Sequence, residues 1–307
     1  MSEQTRGVEA ENQGVDSGEA GTRGLPNRAV QLGLEARHQS PARRLVCTTP
    51  WRETAAQRRL ADHLAGWFHC RLVRRGDRNL VQICADEGVD TVVVADKWPK
   101  VYLLEDPETP VFFHPGMGMM RIQRMERGET DRLVTAARLK PAETVLDCTL
   151  GAGSDTLALA YALGPLGRVI SCEVEPVLER LFSYAKAHGF EPYTELEALA
   201  NRIDVVHMHH LDWLRSLPDG FADVVYFDPM FRAESLGRSA SMDALRGLTH
   251  PEPLSLEAVK EAKRVARQAV VVKERPHSGE FHRLGLVPDK LRAKIAYGVW
   301  RKGEASE

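Results

Sequence analysis

The segment VLDCTLGAGSDTLALA, residues Val145–Ala160, joins two apolar runs through a short stretch that contains two glycines. The first run has the composition of a buried β-strand, and the second has the length and composition of a helix. Gly151 allows a tight turn between them, and Gly153 lets a ligand approach the backbone at the start of the helix. The segment therefore predicts a strand, a glycine turn and a helix whose N-terminus faces a ligand.

Strands and helices alternate regularly around this segment. The predicted strands are TVLDCTL, GRVISCEV, IDVVHMHH, ADVVYFD, QAVVVKE and KIAYGVW, which begin at residues 144, 167, 203, 222, 268 and 294. Helical segments lie between several of them, and the strands are apolar on both faces, as a sheet covered by helices requires. We therefore predict an α/β fold with a Rossmann-like doubly wound sheet over residues 116–307.

The N-terminal third of the chain has a different organisation. Residues 1–40 contain six glycines and no aromatic residue, which is typical of a disordered tail. After them, RRLVCTTPW, CRLVRR, DTVVVADK and KVYLLED have the composition of strands, with helices in ETAAQRRLADHLAGWF and near Leu80. We predict a small N-terminal α/β domain over residues 41–115.

Composition narrows the class of protein. Of the 307 residues, 43% are hydrophobic and 27% are charged, and the formal net charge is −2. No apolar run approaches the roughly 20 residues that span a bilayer, and the N-terminus lacks the layout of a secretory signal. Five scattered cysteines without a C-x-x-C pair favour reduced thiols over disulfides or zinc. We therefore expect a cytoplasmic protein without membrane contact.

Two acids at strand ends indicate what the glycine loop binds. Asp147 ends the first strand, and Glu173 ends the next one, 22 positions after Gly151. The carboxylate of Glu173 can accept hydrogen bonds from the hydroxyls of a ribose, and the carboxylate of Asp147 suits an ammonium group. The combination favours S-adenosylmethionine over NAD, whose loop has the pattern G-x-G-x-x-G. The alternative is a plain tight turn followed by a solvated acid at a helix start.

The segment VVYFDPMF, which begins at Val224, ends a strand on an acid and a proline. Ligands of open α/β sheets bind beyond the carboxyl ends of the strands, so this corner lies at the ligand edge. Asp228 and the carbonyl of Pro229 can accept the hydrogens of an exocyclic amine, and Phe231 can stack on the base that carries it. These three are the predicted catalytic residues. The alternative is an ordinary Asp-Pro turn with Phe231 in the core.

Three motifs carry a resemblance to a known family. DCTLGAGSD, DPMF and VVVKERP, in this order, resemble the small-subunit ribosomal RNA guanine-N2 methyltransferases of the J type. The likeness extends over about residues 45–300 and is closer to uncharacterised relatives in Gram-positive bacteria, which share a pattern like FFHP followed by RI. It implies a class I S-adenosylmethionine-dependent methyltransferase that acts on an exocyclic amino group of a base in ribosomal or other RNA.

The resemblance also implies a set of cofactor contacts. They fall on the glycine loop, on two later strand ends and on the DPMF corner: Ser154, Asp155, Glu173, Val174, His209, His210 and Asp228. Three of these residues depart from the family pattern. Ser154 stands where arginine is frequent, and the histidine pair stands where small polar residues are usual. These departures do not change the expected cofactor, but they leave the identity of the RNA target undetermined.

Basic residues point to RNA as the partner. Between residues 41 and 80, nine arginines face three acids, a local net charge of +6 that can neutralise phosphates. Further candidates for phosphate contact are the helical row Arg121, Arg124 and Arg127 and the strand-end pair Lys273 and Arg275. The alternative to phosphate contact, for each group, is an ordinary basic surface that faces solvent.

The predicted function is the methylation of an RNA base with S-adenosylmethionine as cofactor. One alternative is a methyltransferase that acts on a small molecule or a protein, and another is a non-catalytic RNA-binding factor that retains the fold. The stiff acceptor pair of Asp228 and Pro229 argues against the second, because binding alone does not need it. No metal site is expected, since HMHH, residues 207–210, has no acid or cysteine at ligand spacing. No pattern predicts the oligomeric state.

Overall fold

A computed structural model describes residues 43–229, 247–249 and 252–304. The predicted tail, residues 1–40, lies outside the described residues. Two β-sheets organise the described chain, a five-stranded sheet in its N-terminal third and a seven-stranded sheet in the remainder.

The five-stranded sheet contains parallel and antiparallel strands. Its elements are β1 (Leu45–Thr48), α1 (Ala55–Trp67), β2 (Arg71–Leu72), α2 (Leu80–Glu87), β3 (Thr91–Ala95), β4 (Pro99–Leu103) and β5 (Asp106–Val111). The strand order is β2-β1-β3-β4-β5, with β1 parallel to both β2 and β3. Thr54 and Asn79 begin the two helices with capping boxes, which satisfy free N–H groups of the first turn. The strands and helices predicted for this region are all present.

Strand β5 is an element that the sequence pattern did not predict. Its sequence DPETPV contains two prolines, which lack the N–H that a ladder needs. The structure places β5 at the edge of the sheet, where it pairs antiparallel with β4. Proline is tolerated there because one side of an edge strand has no partner strand.

The seven-stranded sheet carries the predicted doubly wound fold. Its elements are α3 (Gly116–Glu126), α4 (Arg132–Ala137), β6 (Thr144–Asp147), α5 (Ser154–Ala162), β7 (Arg168–Glu173), α6 (Pro176–His188), α7 (Leu196–Ala200), β8 (Ile203–His207), α8 (His210–Ser216), β9 (Ala222–Phe227), α9 (Leu256–Val265), β10 (Ala266–Glu274), α10 (Glu280–Leu284), β11 (Val287–Pro288) and β12 (Ala296–Arg301). The order is β11-β12-β10-β9-β6-β7-β8, with β12 antiparallel to β10. The predicted Rossmann-like α/β sheet is confirmed.

The chain changes direction across this sheet between β6 and β9. From β6 it moves outward to β7 and β8, and it then returns to place β9 on the other side of β6. Val145 lies opposite Val224, and Asp147 lies opposite Tyr226, so the carboxyl ends of β6 and β9 are neighbours. A topological switch point of this kind is where open α/β sheets bind ligands. The glycine loop and the DPMF corner therefore share one edge.

The strand predicted in IDVVHMHH is shorter than expected. Strand β8 ends at His207, and His209 begins α8, where its Nδ1 accepts the backbone N–H of Leu211 at 3.3 Å. The prediction that this strand continues to His210 is therefore wrong. The ring nitrogen of His209 satisfies one of the free N–H groups that every helix start exposes.

Helix α6 joins the two sheets through a shared core. Leu178 and Leu181 on α6 pack in one buried cluster with Leu64 of α1. At the same junction, Nη1 of Arg180 donates to the carbonyl of Phe68 at 2.8 Å. The N-terminal sheet is therefore packed on the larger one through apolar and polar contacts, while the domain boundary at residue 115 stays a prediction.

The described residues lack membrane-spanning and metal-binding features. Within them, no helix is both long enough and apolar enough to cross a membrane. The same residues contain no group of three or more His, Cys, Asp or Glu side chains that could hold a metal ion. All five cysteines are free thiols.

Candidate active site

The glycine loop at the switch point has two residues in the left-handed region, since φ is +52° at Gly151 and +75° at Gly153. A Cβ at Gly153 would lie 2.4 Å from Cε2 of Phe182, a buried residue of α6, so a side chain does not fit there. A Cβ at Gly151 would have the carbonyl oxygen of Thr149, at 3.9 Å, as its nearest neighbour. Gly153 therefore permits close packing of the loop on α6, whereas Gly151 borders open space.

Replacing Gly153 with alanine is expected to lower the free energy of unfolding by about 2–4 kcal/mol, because overpacking adds to the cost of a left-handed backbone. The variant Gly151→Ala is the matched control. It has similar backbone strain but open space around the new methyl group, so about 1–2 kcal/mol is expected. Urea denaturation measures both values, and equal destabilisation would contradict the packing role of Gly153.

Asp147 is fully buried at the end of β6 and connects the strand to the helix beyond the loop. Its Oδ2 accepts the hydroxyl of Thr156 at 2.5 Å, and its Oδ1 accepts the backbone N–H of Thr149 at 3.1 Å. Burial raises the pKa of Asp147 to about 6. The carboxylate thus stabilises the loop, and its contact with an ammonium group stays a prediction.

Glu173 ends β7 and belongs to the same edge. Its Oε2 accepts the N–H of Gly151 at 2.8 Å, and its Oε1 accepts the N–H groups of Val174 and Glu175 at 2.9 and 3.0 Å. Burial raises the pKa of Glu173 to about 7. A carboxylate offers about four acceptor positions, so about one remains on Oε2 for a ribose hydroxyl. This acceptor and the open space at Gly151 fit the nucleoside part of S-adenosylmethionine.

Asp155, in the first turn of α5, is the centre of a charged network. Tyr226 donates its hydroxyl to Oδ2 of Asp155 at 2.8 Å, and Nζ of Lys273 donates to the same oxygen at 3.0 Å. Arg121 donates to Oδ1. Burial opposes the ionised form, but Lys273 and Arg121 outweigh it and hold the pKa of Asp155 below its usual range. Asp155 is therefore a fixed negative charge beside the DPMF corner.

Lys273 connects Asp155 to the predicted catalytic acid. Its Nζ, near the end of β10, donates to Oδ2 of Asp228 at 2.7 Å. The backbone N–H of Asp228 donates to Oγ1 of Thr149 at 2.6 Å, which ties the corner to the glycine loop. The Asp228 side chain remains 27% exposed, so a substrate can reach it. Burial raises the pKa of Asp228 to about 7, a rise that Lys273 opposes and Asp155 favours.

Arg121 and Asp131 are site residues that the sequence analysis missed in this role. Arg121 forms a two-bond pair with Asp131 at 2.8 and 2.9 Å, besides its contact with Asp155. These bonds engage three of the five guanidinium N–H groups, and contact of Arg121 with phosphate stays a prediction. Nζ of Lys273 likewise binds two carboxylates, and its contact with phosphate stays a prediction. A row of arginines at helical spacing cannot reveal acids that lie on other elements.

The histidine turn after β8 lies beside Glu173. The N–H of Met208 donates to the carbonyl of Glu173 at 2.9 Å, which brings the turn to the ligand edge. The ring centroids of His209 and His210 lie 4.1 Å apart, and His210 meets Phe227 edge-on at 5.6 Å. The structure therefore brings the histidine pair to the edge that the resemblance implied, and contact with the cofactor stays a prediction.

The remaining predicted site residues lie at or just after the ends of helices and strands. Ser154 begins α5, and Val174 follows β7; both are half-buried. Pro229 is half-buried directly after Asp228. Phe231 lies outside the described residues, so its stacking role stays a prediction.

Comparison with known proteins identifies a family for this site. The family model described as "Putative SAM-dependent methyltransferase" matches residues 90–286, a range that includes the glycine loop, Asp228 and Lys273. The uncharacterized protein YpiP of Bacillus subtilis is 32% identical over 258 residues, which cover 83% of this chain and 98% of that protein.

Two proteins named ribosomal RNA small subunit methyltransferase J are also similar. The one from Laribacter hongkongensis is 34% identical over 139 residues, covering 44% of this chain and about half, 47%, of that enzyme. The one from Haemophilus influenzae is 26% identical over 215 residues, covering 66% of this chain and 82% of that enzyme. The resemblance to J-type enzymes and to a Gram-positive relative is confirmed.

Among solved structures, a SAM-dependent methyltransferase from Neisseria gonorrhoeae is similar to this chain. The TM-score is 0.53 at 20% identity, and the match covers 85% of this chain and 97% of that one. At this identity the likeness shows the fold alone.

Proposed function

The chain belongs to the family of SAM-dependent methyltransferases, and from this membership we propose that it methylates an exocyclic amino group of a base in RNA. S-adenosylmethionine is its cofactor. The residues that we propose to hold it lie at the switch-point edge, with Asp147 behind the loop: Gly151, Gly153, Ser154, Asp155, Glu173, Val174, His209, His210 and Asp228.

The position of Asp228 carries the proposal. Its backbone is tied to the glycine loop through Thr149, and its Oδ2 is held by Lys273. We therefore assign Oδ1 to the hydrogen of a substrate amine. A carboxylate that is fixed beside the cofactor loop and partly open to solvent supports methyl transfer to nitrogen, because such a reaction depends mainly on positioning.

Methyl transfer to an amine also needs an acceptor for one proton. The bound cofactor supplies a methyl carbon made electron-poor by its sulfonium. An amine nitrogen that took this methyl group from the sulfur would have to lose one proton. Asp228, with a pKa of about 7, can take this proton, and the carbonyl of Pro229 can accept the second N–H.

Two observations support RNA as the substrate class. The Laribacter and Haemophilus relatives are named for ribosomal RNA, and residues 41–80 of this chain carry nine arginines. We therefore propose that the target amine resembles guanine N2 and that the N-terminal region binds the RNA. With ribosomal RNA as substrate, the protein would act in the cytoplasm.

Nucleoside mass spectrometry tests this function. RNA from a strain that lacks this gene is expected to lack one N-methylated base that the parent strain contains. Purified protein with S-adenosylmethionine should restore that base in the undermethylated RNA. A complete set of methylated bases in the deletion strain would overturn RNA methylation and favour a small-molecule or protein substrate.

A further inference from the structure

The nine arginines of residues 41–80 divide into two groups. Five form ion pairs: Arg43 with Glu105, Arg44 with Asp90, Arg58 with Glu53, Arg71 with Glu87, and Arg78 with Asp86 and Glu87. The other four, called the unpaired arginines below, form no ion pair with any described residue: Arg52, Arg59, Arg74 and Arg75. Four of the five acids that neutralise the first group lie beyond residue 80, so counting charges within residues 41–80 overstated the free positive charge.

The unpaired arginines cluster at one edge of the five-stranded sheet. Arg52 follows β1, Arg74 and Arg75 follow β2, and Arg59 lies in α1, which begins at the same edge. Strands β2 and β3 lie on opposite sides of β1, and all three are parallel, so this edge is a second topological switch point. Such edges bind ligands in open α/β sheets. A shallow depression at this edge is lined by Thr54, Ala56, Gln57, Leu60, Asp96 and Lys97.

Trp51 and Arg75 give this edge the chemistry of a nucleotide-binding surface. The Trp51 side chain is 56% exposed, whereas tryptophan is highly buried on average. Arg75 lies over its ring, with Cζ 5.6 Å from the centroid, and donates to the carbonyl of Thr49 at 3.3 Å. Nε of Arg75 is buried without a hydrogen-bond partner among the described residues. A half-buried guanidinium without a carboxylate favours an anion as its partner.

We infer that this edge binds the RNA substrate outside the active site, with a base stacked on Trp51 and phosphates on the unpaired arginines. The inference rests on the proposed function and adds the place where the RNA docks. Aromatic rings stack on any base, and arginines contact phosphates regardless of sequence. The edge therefore supplies affinity, while the choice of the target base is left to the active site.

The docking edge lies far from the active site. Helix α6 begins beside Glu173, and at its other end Nε2 of His188 lies 3.2 Å from Nε2 of His63 on α1. Lys97, just after β3, pairs with Glu191, just beyond α6, at 3.3 Å. The 13 residues of α6 span about 20 Å. An RNA must therefore extend over about 20 Å to occupy both sites, which a single nucleotide cannot do.

Matched triple variants test this docking edge. The control removes three paired arginines whose side chains are 68–69% exposed, and the test variant removes three exposed unpaired ones, so both change the net charge equally. The control is R44Q/R58Q/R71Q, and the test variant is R52Q/R59Q/R74Q. Fluorescence anisotropy with a fluorescein-labelled single-stranded RNA of about 20 nucleotides gives Kd at several salt concentrations.

The test variant is expected to bind this RNA about 100-fold more weakly at about 0.1 M salt, and its salt-dependence slope should fall by about 2, as three lost phosphate contacts require. The control should lose less than about 5-fold, because its arginines are already engaged by carboxylates. Equal weakening by the two variants would overturn the inference, and so would unchanged binding by the test variant.

Substitutions of Trp51 test the docking edge independently of the arginines. Trp51→Ala is expected to weaken RNA binding by about 10-fold without changing the salt slope, and Trp51→Phe should retain most of the affinity, because stacking needs only an aromatic face. A change in the salt slope of Trp51→Ala without a loss of RNA affinity would contradict the role given to Trp51.

Methyl transfer to RNA from the deletion strain separates this inference from the proposed function. If the wild-type protein methylates that RNA and the test variant binds and methylates it equally well, only the docking edge is wrong. If the wild-type protein neither binds nor methylates RNA, the proposed function fails and the docking edge fails with it.

Discussion

The Asp228→Asn variant is expected to transfer methyl groups about 10²–10⁴-fold more slowly than the wild-type protein. Asparagine has nearly the shape of aspartate but only one acceptor oxygen. Lys273, whose Nζ lies 2.7 Å from Oδ2 in the wild-type protein, will hold that oxygen. The amide NH₂ then faces the substrate amine where Oδ1 was, and it can accept neither a hydrogen bond nor a proton.

Single-turnover methyl transfer, with calorimetry for S-adenosylmethionine affinity, measures this effect. The control is Asp223→Asn, since Asp223 lies near the start of β9, the strand that Asp228 follows, and pairs with Arg267 at 2.8 Å. That variant should lose some stability but keep a kcat close to that of the wild-type protein. A wild-type kcat in Asp228→Asn would instead show that Asp228 is only a turn residue.

A second large effect is expected on the pH dependence of activity. Wild-type activity should fall as pH decreases through about 7, where Asp228 takes up a proton. Lys273→Met removes the cation that lowers this pKa and leaves Asp228 next to the charge of Asp155, which raises it. Arg121 and the Tyr226 hydroxyl still favour the ionised form of Asp155, so the proton binds to Asp228. The acidic limb should move upward by about 1–3 pH units, and activity at pH 7 should fall about 5- to 500-fold.

A profile of kcat/KM against pH checks this expectation. Lys273→Arg is the control, because it keeps a positive charge near both carboxylates and should leave the acidic limb close to its wild-type position. If Lys273→Met lowers activity by the same factor at every pH, Lys273 acts on the local structure and not on the charge of Asp228.

Local patterns were sufficient for much of the fold and for part of the site. The glycine loop and the DPMF corner were predicted because strand, turn and helix preferences depend on neighbouring residues in the chain. Parallel strands place their carboxyl ends on one edge, so the strand pattern alone assigned Glu173 and Asp228 to the same side of the sheet. The misread elements were DPETPV and HMHH. DPETPV forms a strand because it lies at the edge of its sheet, and HMHH leaves the strand because His209 caps the helix that follows.

The sequence by itself determined the doubly wound fold, the glycine loop and the position of the acid corner, because each follows from local backbone preferences and strand order. Only the tertiary structure decided which charges meet. Asp155 is 34 positions from Arg121 and 118 from Lys273 in the chain, and most acids that neutralise the N-terminal arginines lie on other elements. Ion pairing over such separations depends on how the elements pack, and packing leaves Asp228 ionisable and four of the nine arginines without an ion pair to any described residue.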